Sequence, residues 1–343
     1  MKKKKLFIYI SLFLFLAVAF IILAYRLLYG PNLKTNGKNI TLFIPEGSTY
    51  VQAMDTIKAH FTIPDIKAFN WIAEKKNYPS LVKPGRYIID TDMSYTGLIN
   101  MLRSGRQTPV NVTFNNIRTL SDLAGKVGKQ INADSVQLIN FLTDPDNFYK
   151  DGFSRETVIA VFIPNTYQLF WNTDAEGFYY RMLREYNKFW NEDRQAKAKA
   201  KNLTQIEVSI LASIIDDEVA KPDEKPKIAG VYLNRLKRGI PLQACPTIKF
   251  ALNDWTITRV LKAYLEVDSP YNTYKHYGFP PGPIGCATIE GIDAVLNAEK
   301  HDYLFFAAKS DFSGYHNFSR TLSEHNRYAA EYQRELNKRK IYR

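Results

Sequence analysis

The alternation of hydrophobic and polar positions changes character along the chain, and each regime predicts a different element. Leu6 to Tyr25 runs without a charge and with Ser11 as its lone hydroxyl-bearing aliphatic position. At about 1.5 Å of rise per residue, such a run crosses a hydrocarbon layer of about 30 Å as one helix. Ala17-Val18-Ala19 has the small-x-small spacing of a signal cleavage site, but Phe20-Ile21-Ile22-Leu23 carries the apolar run past it. Cleavable signals have shorter apolar cores, about 7–15 residues. The pattern predicts an uncleaved single-pass anchor over 6–25, with Lys2 to Lys5 as a cytoplasmic tail (1–5) and an extracytoplasmic body.

Residues 26–39 read as a polar, turn-rich linker. Ile40 to Ile44 then alternates like a strand, and Pro45-Glu46-Gly47 turns it. Ser48 and Thr49 precede an amphipathic helix expected to turn Val51, Met54 and Ile57 inward. A short helix near 66–74 and a strand over 86–89, entered through Lys83-Pro84-Gly85, complete a small α+β module. The strand–helix pattern of 40–57 recurs seventy residues on: Leu42, Ile44, Thr49 and Ile57 correspond to Val112, Phe114, Thr119 and Val127. Two copies make a duplicated unit and not a repeat array.

From about Ala175 the period becomes helical. Residues 178–190 are aromatic-rich, and 194–201 read as a charged connector. Thr204 and Glu207 have capping-box spacing at the start of TQIEVSILASIIDDEVA. Counting i, i+3, i+4, i+7 from Leu211 gives Ile214, Ile215 and Glu218, so Glu218 continues an apolar stripe while Asp216 and Asp217 point elsewhere. A partly desolvated carboxyl has a raised pKa, the condition for a general acid near neutral pH. Spacing alone favours a helix-end Glu that reaches solvent or pairs with a lysine. A second helix starts near Pro222-Asp223-Glu224 and stops at Gly239. Two stiff loops follow, 241–247 and 269–284, rich in Pro, Tyr, Asn and Thr.

Composition narrows the chemistry. With 45% hydrophobic and 23% charged residues, the 343-residue chain is neither disordered nor polytopic. The net charge of +12 is concentrated at the ends: Lys2 to Lys5 carry four, residues 334–343 a net four, leaving only four between. That is no nucleic-acid groove. Two cysteines exclude a disulfide scaffold or a four-thiolate zinc site. His60, His276, His301, His316 and His325 form no close helical pair, and no Gly-rich phosphate loop is present, so neither metal nor cofactor is expected.

Several ordered motifs resemble the MltG/YceG family of endolytic murein transglycosylases. They are Leu211 to Glu218, Val231-Tyr232-Leu233-Asn234-Arg235-Leu236, Pro241-Leu242-Gln243 with Pro246-Thr247, Ser269 to Tyr274, Pro280 to Ile284, and Leu322-Ser323-Glu324-His325-Asn326. Ile163-Pro164-Asn165-Thr166-Tyr167 is similar to an upstream motif of that family. The resemblance implies an α+β fold with a single transmembrane helix, a LysM-like subdomain over 40–106 and a catalytic domain over 107–343. It places the family's single catalytic Glu at Glu218. It implies non-hydrolytic cleavage of the β-1,4 bond from N-acetylmuramic acid to N-acetylglucosamine, leaving 1,6-anhydro ends. Asn234, Gln243, Thr247, Asn272, Thr273 and Tyr274 become candidates for substrate binding, against a plain role in capping and loop hydrogen bonds. Expected partners are peptidoglycan glycan strands, the membrane, and peptidoglycan synthases. A non-catalytic wall-binding protein and a synthase scaffold are the other classes the motifs admit. Where the family carries Asp before Pro-Thr, this chain has Cys245, and Cys286 marks a second departure. Either the two pair as a disulfide between loops of the site, or they are small buried thiols that never meet.

Overall fold

The computed structural model describes residues 2–33 and 38–339; the linker positions 34–37 lie outside the described residues. Helix α1 spans Lys2–Tyr29, longer than the expected 6–25 at both ends, because neither Lys nor Arg26 breaks a helix. Pro31 stops it, since the residue before a proline avoids helical backbone. Its apolar side chains point outward all round, the property of a helix whose surroundings are apolar.

The chain divides into two compact units: residues up to 112 with 130–133 and 167–173, and the remainder, which includes everything from 174 onward. In the first, β1 (Ile40–Ile44) leads to α2 (Tyr50–His60), α3 (Ile66–Lys75), β2 (Gly85–Ile89) and α4 (Tyr95–Ser104). β1 and β2 pair antiparallel, with Ile40 opposite Ile89 and Ile44 opposite Gly85. The two-residue period puts Leu42, Ile44, Tyr87 and Ile89 into a core shared with Phe69, Ile72, Leu98 and Leu102. Thr49 caps α2 in a box with Gln52. The buried stripe is Ala53, Met54 and Ile57; Val51, expected inward, is 65% exposed, because a helix beginning at Tyr50 turns its second residue about 100° off that stripe.

The chain enters the second unit within β3 (Val110–Phe114), which pairs with β4 (Asn165–Leu169). Between them lie α5 (Leu120–Val127) and α6 (Ser135–Thr143). The duplication is physical: Val112 and Phe114 are buried like Leu42 and Ile44, Thr119 caps α5 in a box with Asp122, and Val127 is buried like Ile57. α7 (Ala175–Phe189) buries Phe178, Tyr179, Met182 and Tyr186. The charged stretch expected as a connector is a helix, α8 (Glu192–Ala200), and its Arg194 pairs with Asp293 at 3.1 Å. α9 (Gln205–Glu218) is enclosed on all sides from Val208 to Ile215, so it is the central helix of the unit and not a surface helix with one apolar stripe. Around it pack α10 (Lys225–Lys237), α11 (Cys245–Ala251) and α12 (Ile289–Leu296). A hairpin of β5 (Phe305–Ala308) and β6 (His316–Ser319) is covered by α13 (Leu322–Lys338).

Candidate active site

The site is built at the C-terminal end of α9. The Thr204 hydroxyl accepts from the Glu207 amide at 3.1 Å while the Glu207 carboxylate accepts from the Thr204 amide at 2.7 Å, so the helix start is closed reciprocally. Its other end stops where Val219 turns extended. The three consecutive acids there have separate fates. Asp216 accepts from Lys225 Nζ (2.8 Å), the Thr288 amide (2.7 Å) and the Thr288 hydroxyl (2.9 Å), tying α9 to the starts of α10 and α12. Gly291 keeps that junction close, since a Cβ there would lie 2.5 Å from Asp216 Oδ1. Asp217 faces Arg118 at 3.5 Å, whose guanidinium lies 4.1 Å over the Trp255 ring. These acids and Lys225 border a polar cavity of about 250 Å³, reached also by Asn116 and Cys286.

Glu218 differs from both. Its Oε2 is sealed from solvent and has no hydrogen-bond partner. Burial pushes its pKa up to about 7, Asp217 adds to the rise, and the Lys249 ammonium on α11 pulls the other way. A helix C-terminus carries partial negative charge, which disfavours the carboxylate further. Tyr232 on α10 is 1% exposed, and its hydroxyl is also without a partner. Burial and the Glu218 carboxyl raise the Tyr232, Tyr274 and Cys245 groups, the thiol to about 11. These side chains, Tyr232 buried and the others partly so, cluster around the acid.

The loops beside it are braced from below. Arg235, 4% exposed, donates to the Pro241 carbonyl (2.8 Å), the Leu304 carbonyl (2.9 Å) and Gln243 Oε1. Gln243 has a left-handed backbone (φ 52°), unusual for a residue with a side chain, and its amide donates to the Thr273 carbonyl at 3.0 Å. Thr247 and Thr273 share a hydroxyl contact of 2.9 Å, and Thr273 Oγ1 accepts from the Ala244 amide. The Asn272 side-chain amide donates to the Leu265 and Val267 carbonyls. Thr247, Asn272 and Thr273 are thus buried and committed to loop structure, and the structure does not present them to a ligand. Asn234 is likewise committed, donating to the His301 and Tyr303 carbonyls at 2.7 and 3.0 Å. Tyr274 remains near the acid, and Gln243, its side chain bonded to Arg235, is the exposed one of the six.

The two cysteines are both free. Cys245 Sγ lies 3.2 Å from the Tyr274 hydroxyl, whereas Cys286 is buried against the Ile159 carbonyl, its amide bonded to Ile117. Of the two alternatives the structure has the unpaired thiols, each with its own neighbour: Tyr274 for Cys245 and the Ile159 carbonyl for Cys286. Arg235 and Tyr232 were not singled out by sequence, yet the signal that marks Glu218 marks them too. Ile228, Val231, Tyr232 and Arg235 follow i, i+3, i+4, i+7 on α10, and a charge on that stripe must have an internal partner. The closing motif supplies structure: Thr321 and Glu324 box the start of α13, and the His325 ring stacks on Phe305 at 5.3 Å.

A sequence profile of the YceG-like family matches residues 42–331, a span that holds the whole site. The chain belongs to the YceG-like family. A relative from Bacillus subtilis (strain 168), named endolytic murein transglycosylase, is 30% identical over 326 residues, covering 89% of each chain. One of the same name from Streptococcus pneumoniae serotype 2 (strain D39) is 29% identical; the match covers 86% of this chain and 58% of that longer one. The crystal structure of a yceG-like protein from Listeria monocytogenes superposes with a TM-score of 0.56 at 25% identity, over 85% of this chain and 99% of the other. The family likeness therefore extends beyond the motif segments to most of the chain.

Proposed function

We propose that this chain is an endolytic murein transglycosylase that cleaves the β-1,4 bond from N-acetylmuramic acid to N-acetylglucosamine in peptidoglycan strands. The observation that carries the reading is the carboxyl of Glu218, one oxygen sealed and unpaired, raised to about 7 mainly by burial and so protonated in a large fraction of molecules at neutral pH. The protonated acid donates to the glycosidic oxygen as the bond breaks through an oxocarbenium-like state. The resulting carboxylate takes the proton of the muramoyl C6 hydroxyl, whose oxygen bonds to C1 and closes the 1,6-anhydro ring. The nucleophile is internal, so one carboxyl performs both transfers, unlike the pair used by hydrolases. Asp216 and Asp217, held by Lys225 and Arg118, do not compete for the role. Gln243 and Tyr274 are the substrate-side polar groups in this reading.

The β1-α2-α3-β2 module is proposed as a LysM-like glycan-binding subdomain, supported by its antiparallel strand pair flanking two helices. α1 is the single-pass anchor, with Lys2 to Lys5 cytoplasmic and the body outside, supported by its apolar exposed surface and flanking lysines. Mass spectrometry of fragments released from purified peptidoglycan tests the reaction. Anhydro-muramic ends and no new reducing muramic ends are expected, with a loss of at least a hundredfold for Glu218→Gln; heavy oxygen from labelled water at C1 would refute the lytic route.

A further inference from the structure

Glu218 Oε2, an acceptor with no donor, and the Tyr232 hydroxyl, a donor with no acceptor, are buried in the same cluster on the packed helices α9 and α10. Unpaired buried polar atoms are costly and rare, and these two lie on packed helices with the Glu218 carboxyl near enough to act on the phenol, so they call for a shared purpose. No other described side chain bonds the phenol, and the closest polar neighbours are committed elsewhere: Cys245 Sγ to Tyr274, Arg235 to Pro241, Leu304 and Gln243. Of the carboxyl oxygens only Oε2 is sealed, which leaves Oε1 as the one open to substrate.

We propose that Tyr232 is a positioning residue, its side chain shifting to donate its hydroxyl to Glu218 Oε2 when the acid has given up its proton and holding Oε1 toward the C6 hydroxyl for the second transfer. This rests on the transglycosylase reading. In the resting, protonated state the contact is dispensable; once the carboxylate forms in a pocket that disfavours charge, a donor on its sealed oxygen is what stabilises it. The proton balance is unchanged: Tyr232 keeps its proton throughout, and Glu218 returns to the acid form on ring closure. Groups acting on Glu218 from the packed elements are Asp217 on α9, Lys249 and Cys245 on α11, Tyr232 on α10 and Tyr274 on the 269–284 loop.

The test compares full chains in detergent: wild type, Tyr232→Phe and Glu218→Gln. For Tyr232→Phe, kcat should fall about tenfold to a hundredfold with KM within about twofold, as expected for losing a hydrogen bond to a charged group. The Glu218 titration, followed by carbon NMR of labelled glutamate without substrate, should move up by about one unit. The melting temperature should stay at or above wild type, since the phenol is unpaired at rest. Unchanged kcat and an unchanged titration would overturn the proposal while wild-type anhydro products kept the reaction itself intact. If the wild type released no anhydro ends, the reaction reading would fail, and the titration would still decide whether Tyr232 serves Glu218.

Discussion

A carboxyl kept protonated for acid chemistry becomes a burden on the fold once it ionises. Glu218 has a folded pKa near 7 against an ordinary value of 4.5, so between those pH values the folded chain binds more protons than the unfolded one. The stability it lends is complete below 4.5 and is lost as pH rises through 7. The shift corresponds to roughly 3 kcal/mol at about 1.4 kcal/mol per unit. Glu218→Gln removes this proton. Its melting temperature relative to wild type is therefore expected to climb from pH 4.5 to pH 8, ending above wild type by several degrees. Parallel profiles for the two proteins across that range would show that Glu218 is not held as an acid. The same comparison separates a catalytic loss from a folding loss, because the inactive variant is the more stable one at neutral pH. Gln243 shows the related trade in backbone form, a left-handed residue held by Thr273 and Arg235.

The geometry of Glu218 depends on where α9 ends, and that end is pinned two residues earlier by Asp216. Lys225, with a side chain 8% exposed, has Asp216 at 2.8 Å and the largely exposed Glu290 at 3.6 Å. Removing one member of a buried pair leaves the other charge uncompensated, a cost of about 3–5 kcal/mol. Asp216→Ala is expected to destabilise by about 3 kcal/mol, with Glu290 taking part of the charge, and the double variant Asp216→Ala/Lys225→Met should recover more than half of it. Calorimetry of the four proteins checks this; additive losses would mean the two side chains do not depend on one another. At the scale of elements much was legible in advance. Strand patterns gave β1, β2 and β3, and Thr49, Thr119 and the Thr204 box placed the starts of α2, α5 and α9, because these signals are local. What remained illegible was tertiary. The burial of Thr247, Asn272 and Thr273 beneath their loops, the exposure of Val51, and the separation of Cys245 from Cys286 depend on which elements pack together, not on spacing.

At the scale of the molecule, the end of α1 and residues 30–33 belong to the first unit's core. The Leu27 carbonyl accepts from the Asn32 side chain at 2.6 Å, Leu28 packs against the core, and Leu33 is 3% exposed with its amide donating to the Met93 carbonyl. The sequence reads as a polar linker from residue 26 because Gly30, Pro31 and Asn32 dominate its composition, while the two leucines that fold back carry no periodic signal of their own. Burying a leucine contributes about 2 kcal/mol, so this segment adds a measurable part of the unit's stability. Two truncations separate anchoring from packing. A chain starting at residue 27 loses the apolar exposed helix but keeps Leu28 and Leu33; it should be released from membranes and melt like the full chain in detergent. A chain starting at residue 38 loses both leucines and should melt several degrees lower in a first transition, with the second unit's transition and the Glu218 chemistry preserved. Equal melting profiles for the two truncations would show that residues 28–33 contribute nothing to the core, and that the body is indifferent to where its anchor ends.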